Sequence, residues 1–174
     1  MAVSPANDAS QRLIEAHLSK HFSLGAGQVS LSAVTPENLP EGARQYYVEP
    51  KGGHGHRALN YIVIGSQLYC SGVEGDFARL LSENHYLERK GLTAAQVMSP
   101  YRTLASPPQV MIMAEGYPQF AQIKPPALTL GEQGMSLVFF ASAGIPLEPR
   151  QWTVTVSRDY RVEVHTGGPL KPTP

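Results

Sequence analysis

Three short segments decide the fold: Arg44-Gln45-Tyr46-Tyr47-Val48-Glu49, Leu59-Asn60-Tyr61-Ile62-Val63-Ile64 and Leu68-Tyr69-Cys70. Lys51-Gly52-Gly53-His54-Gly55-His56-Arg57 joins the first pair, and Gly65-Ser66 joins the second. β-branched and aromatic residues dominate all three segments, and each ends at residues that favour turns, so they read as consecutive strands. Strands linked by tight connections run antiparallel.

On the N-terminal side, Asp8 and Gln11 have the spacing of a capping box, and Leu13, Ile14, Leu18 and Phe22 recur at helical intervals. The pattern predicts a helix over 8–22, stopped by Gly25 and Gly27. Val29, Leu31 and Ala33 alternate with polar neighbours and predict a strand ending at Thr35-Pro36. On the C-terminal side, Gly72 to Gly75 is a break, and Asp76 stands as the N-cap of a helix over 76–84 carrying Phe77, Leu80 and Leu81. Thr93 to Leu104 is a further helical segment, which Pro100 is expected to kink or split. Beyond Pro107 strands return: Val110 and Ile112 alternate, Leu137 to Phe140 is a short apolar run, and Trp152, Val154 and Val156 face Val162 and Val164 across Arg158-Asp159-Tyr160.

The order helix, strands, helices, strands points to the α+β class, with helices packed on a mainly antiparallel, curved sheet. That order resembles the arrangement shared by cystatin-like and NTF2-like folds, and the resemblance implies a layout only, with no residue roles. Pro107-Pro108 is a candidate boundary, but the remainder is marginal for a separate core, so one domain over 1–166 is expected, followed by a frayed tail over 167–174.

Composition narrows the function classes. Fourteen basic residues balance fourteen acidic ones, so the patch needed to neutralise several phosphates is lacking and nucleic acid is not an expected partner. No apolar run approaches the roughly 18 residues needed to span a bilayer, so membrane insertion is not expected. Residues 1–10 lack the basic and apolar regions of an export signal, making the cytoplasm the default compartment, although an Ala/Ser/Pro-rich start also suits a mature exported protein. With 16% charged residues against a usual value of about 25%, and with 16 glycines and 15 prolines, strands and ordered turns are favoured over long surface helices. A lone cysteine excludes an internal disulfide and a Cys-x-x-Cys metal or redox site.

Reactive side chains concentrate around residues 51–72. His54 and His56 sit two apart, so on an extended strand both imidazoles project to one side and can share a divalent metal with Glu49, Glu74 or His85. The flanking glycines favour a solvated hairpin tip instead. Lys51 and Arg57 suggest an anion cradle, but a phosphate loop must enter a helix and this one enters a strand. Ser71-Gly72-Val73-Glu74-Gly75-Asp76 does lead into a helix, though Glu74 and Asp76 carry the wrong charge for an anion. Cys70 is a candidate nucleophile with His54, His56 or His85 as base and Asp76 or Glu74 as orienting carboxylate, against the commoner role of a small core residue. His17 and His21 have the i, i+4 spacing of a metal pair without a following glutamate, and read more simply as edge residues of the first helix.

Tyrosines are abundant, and Tyr46 and Tyr61 are candidate binding residues beside His54, His56 and Arg57. The expectation is a non-enzymatic binding or accessory domain that uses a sheet face and the 51–57 loop, its partner a protein or a small ligand. The alternative is a metal- or cysteine-dependent enzyme centred on His54, His56 and Cys70. No cofactor is expected, and a divalent metal enters only through the histidines. Self-association is expected if an edge strand such as Leu137 to Phe140 is exposed.

Overall fold

The computed structural model describes residues 5–52, 57–107, 110–114, 117–143 and 147–173, with side chains from Ala9 onward. The class is α+β, and the strands form two antiparallel sheets where a single curved sheet was expected. The chain divides into two compact units, Met1–Phe77 and Ala78–Pro174.

In the first unit, helix α1 spans Pro5–Phe22 and starts earlier than the Asp8 cap predicts. Proline suits the first helical position, where its fixed φ is already helical and its missing N–H has no partner to lose. The helix ends before the glycines, at Ser23, whose φ of 55° is left-handed and lets the Leu24 amide reach the Leu18 carbonyl at 3.2 Å. Strands β1 (Val29–Val34), β2 (Ala43–Pro50), β3 (Leu59–Ile64) and β4 (Gln67–Cys70) follow in a meander of that same order. Register pairs Tyr46 with Tyr61, Val48 with Leu59, and Tyr61 with Cys70. Alternate residues therefore share a face. Val29, Tyr46, Val48, Leu59, Tyr61, Val63 and Cys70 pack with Ile14 and Leu18 of α1 in one core. Burying each aliphatic side chain of that stripe contributes about 1.5–3 kcal/mol.

The unit boundary falls within helix α2 (Asp76–Glu83). In the second unit, helix α3 (Ala94–Leu104) begins at a capping box in which Thr93 Oγ1 accepts from the Gln96 amide. It continues through Pro100 as a single helix, with Pro100 itself buried. Strands β5 (Val110–Met113), β6 (Ala127–Gly131), β7 (Gly134–Ala143), β8 (Pro149–Ser157) and β9 (Val162–Pro169) form the second sheet. Strand β7 is its centre. Strand β8 pairs along one edge of β7, and β6 and β5 share the other edge end to end, at Met135–Val138 and Phe140–Ala143 respectively. The Tyr101 ring of α3 packs at a tilt against Phe139 of β7, centroids 5.5 Å apart, which seats the helix on this sheet.

One expectation is corrected here. Leu137 to Phe140 lies in the central strand, hydrogen-bonded on both sides, so it is not an edge. Strand β9 runs to Pro169, and the Leu170 and Thr173 amides bond to the Pro149 and Gln119 carbonyls at 2.7 and 2.8 Å.

Candidate functional site

His54 and His56 fall outside the described residues. Arg57 is exposed just before β3, and Glu49 and Glu74 are exposed as well. His85 pairs with its own neighbour Glu88 at 3.3 Å. Among the described residues, no three His, Cys, Asp or Glu side chains are placed to hold a metal ion.

Cys70 closes β4 and is fully buried. Its side chain hydrogen-bonds Tyr61, its direct cross-strand partner, and its sulfur also accepts from the Gly72 amide at 3.3 Å. The Tyr61 hydroxyl lies 3.2 Å from His17 Nδ1. His17, Tyr61 and Cys70 thus form a continuous hydrogen-bonded series from the half-buried rim of α1 to the end of the sheet. Burial pushes the Cys70 thiol above its ordinary value, and burial together with the neighbouring Cys70 pushes the Tyr61 phenol far higher. The contact between the two raises Tyr61 and lowers Cys70, as when the phenol donates to the sulfur, and the His17 Nδ1–H tautomer then donates to the phenol oxygen.

Asp76 is buried, and its Oδ2 accepts from the Cys70 backbone amide at 2.7 Å, tying the start of α2 to the end of β4. Three amides of the strand-to-helix break, which an anion would need, are already engaged. The Gly72 amide is taken by sulfur, the Val73 amide by the Cys70 carbonyl at 3.1 Å, and the Asp76 amide by the Val73 carbonyl at 3.3 Å. A Cβ at Gly72 would stand 2.8 Å from side-chain atoms of both Leu59 and Phe22, so the backbone there packs closely under these two side chains. The His17 and His21 rings stack at 4.4 Å, and His17 directs Nδ1 to Tyr61.

Tyr46 and Tyr61, expected at a binding surface, both face α1 in the core. The tyrosine that reaches solvent is Tyr47, 37% exposed on the opposite face. Register sets it between Ser32 of β1 and Asn60 of β3, with Gln45 and Glu49 two residues away on its own strand. Val34, 38% exposed, lies on the same face opposite Gln45. Strand parity was the signal for this arrangement: adjacent tyrosines point to opposite faces, and Tyr46 shares its face with Val48.

In the second unit, an open groove of about 550 Å³ lies over the turn ends of β6–β7 and β8–β9, with Thr129, Met135, Thr155, Arg161 and Glu163 in its lining. Its cation is committed locally, because Arg161 Nε pairs with Asp159 at 2.9 Å. Hydrogen bonding from Ser157, ahead of the Arg161 charge, holds the Asp159 carboxyl below its ordinary value.

The chain matches no protein-family model, no curated protein and no solved structure.

Proposed function

We propose that the chain is a non-enzymatic binding or accessory module whose contact surface is the face of the first sheet turned away from α1, at β1 and β2, continued by the 51–57 segment. The observation that carries this reading is Tyr47, a large amphipathic ring left exposed among Ser32, Gln45, Glu49 and Asn60. Tyrosine supplies contact area at the entropic cost of two side-chain torsions, and small polar neighbours leave its ring free to be covered. A photo-reactive amino acid at position 47, compared with one at exposed Lys20 on α1, tests it. A discrete protein adduct is expected at 47 only, competed by the unlabelled chain and not by its Tyr47→Ser variant. Equal labelling at both positions, or no adduct at 47, overturns the reading.

A cysteine-dependent enzyme is the second reading, favoured by the series His17, Tyr61 and Cys70. It requires a reachable thiolate, whereas the sulfur is buried and its thiol is pushed up. Rapid modification of Cys70 by iodoacetamide in the native protein at neutral pH would restore it.

A further inference from the structure

We infer that β9 is a homodimerisation edge, on which a second copy of this chain adds its own β9 antiparallel about a two-fold axis through Val164. Strand β9 ends the order β5-β7-β8-β9 and has no neighbour on its other side among the described residues. An open edge presents a row of backbone donors and acceptors to any strand able to match it. Proteins usually blunt such an edge with lysine, proline or a bulge. Over Val162-Glu163-Val164-His165-Thr166 there is neither lysine nor proline, and the register shift opposite β8 lies beyond, between Arg150 and Trp152.

The faces of β9 identify the occupant. Val162 and Val164 pair with Val156 and Val154, which are buried, so they belong to the core side of the sheet. Val164 is nevertheless 45% exposed, because no further strand covers that side. Glu163 and His165 pair with Thr155 and Thr153 on the opposite face, both well exposed and 3.4 Å apart. Antiparallel self-pairing centred on Val164 sets Val164 against its own copy, Val162 against Thr166, and Glu163 against His165 twice. The apolar side is then extended by a matching apolar side, and the polar side gains two Glu163–His165 cross-strand pairs in which an imidazole N–H can donate to the carboxylate. Strand β9 is therefore complementary to itself, in hydrogen-bonding side chains and in apolar face, at one register.

Sedimentation velocity across the micromolar range, together with register-specific cross-linking, tests the inference. A dimer is expected. Val164→Lys should make the chain monomeric, and Glu163→Lys should weaken association roughly tenfold. The Glu163→Lys/His165→Glu double variant, which sets a lysine against a glutamate at both pairs, should recover it. As a check independent of folding defects, Val164→Cys should form a disulfide-linked dimer under mild oxidation. Thr166→Cys should not, because its symmetry mate lies about 13 Å away in this register, outside disulfide reach. A monomer at all concentrations, a dimer indifferent to Val164→Lys and Glu163→Lys, equal cross-linking at 164 and 166, or growth beyond the dimer would each overturn the proposal.

Discussion

The sheet of Met1–Phe77 joins its four strands in chain order, whereas in Ala78–Pro174 the central strand β7 draws neighbours from both sides of itself in sequence. The first arrangement needs only hairpin closures. The second holds β5 and β6 end to end along one edge of β7, with β5 meeting it across an intervening stretch of some twenty residues. Local pairings form at low loop-closure cost and leave their signature in the turns, while non-local ones depend on packing that no short window contains. The units also treat buried polar groups differently. The first satisfies them in series through His17, Tyr61 and Cys70, while in the second the buried Tyr86 hydroxyl and Trp152 Nε1 have no hydrogen-bond partner among the described residues.

The largest expected effect separates two glycines. Gly134, with φ of 129°, opens β7 so close to β8 that a Cβ would overlap the Val156 carbonyl oxygen. Gly134→Ala adds backbone strain to a backbone clash and should destabilise by about 4 kcal/mol. Gly65, with φ of 59° in the β3–β4 turn, has open space around it, so Gly65→Ala should lose only about 1–2 kcal/mol. Urea unfolding of the two variants checks the difference, with Trp152 fluorescence as a probe inside the second sheet. Equal losses would break the contrast between a local turn and a non-local contact.

Removing hydroxyls sharpens the second contrast. Tyr61→Phe strips a partner from both His17 and Cys70 and should destabilise by about 1–2 kcal/mol. Tyr86→Phe should be neutral or slightly stabilising. Burial pushes the Tyr86 phenol up to about 12, although the nearby Arg89 pulls it back, and burial also raises Tyr101.

For all of these groups the neutral form is kept longer in the folded chain than in the unfolded one. Their contribution is therefore complete below the unfolded values, about 8.5 for cysteine and 10 for tyrosine, and is lost as pH rises above them toward the folded values. Melting temperature should hold from pH 7 to about 8 and fall steadily toward pH 11, less steeply in Tyr61→Phe. Cys70 should also resist alkylation until the chain unfolds. The smallest effect is expected at Tyr47→Ser, under about 1 kcal/mol, because the ring is exposed in the folded chain.

Much of the first unit was legible before any coordinates. The boundaries of β2, β3 and β4 follow from β-branched runs bounded by Lys51-Gly52 and Gly65-Ser66, and α1 from its apolar interval. The β8–β9 hairpin was equally plain in Trp152, Val154 and Val156 facing Val162 and Val164. Strand β6 was not. Its residues are largely exposed, and its only strong mark is the alternation of Leu128 and Leu130, which becomes a strand because β7 offers an edge. The chemistry near Cys70 was legible in kind and not in arrangement: Asp76 was read as a cap and orienting acid, and it grips the Cys70 amide. His17, 44 positions from Tyr61, carries no local sign of its hydrogen bond.

By itself, the sequence determined the α+β class, the strand-rich centre and the placement of its one cysteine at a strand end, because these depend on periodicity and turn chemistry within a few residues. Tertiary structure decided which edge of each sheet stays open, that Tyr46 and Tyr61 are core while Tyr47 is surface, and that His17, Tyr61 and Cys70 meet. Those outcomes depend on which face of a sheet receives a helix and on which strand finds no partner, and only packing between distant segments sets them.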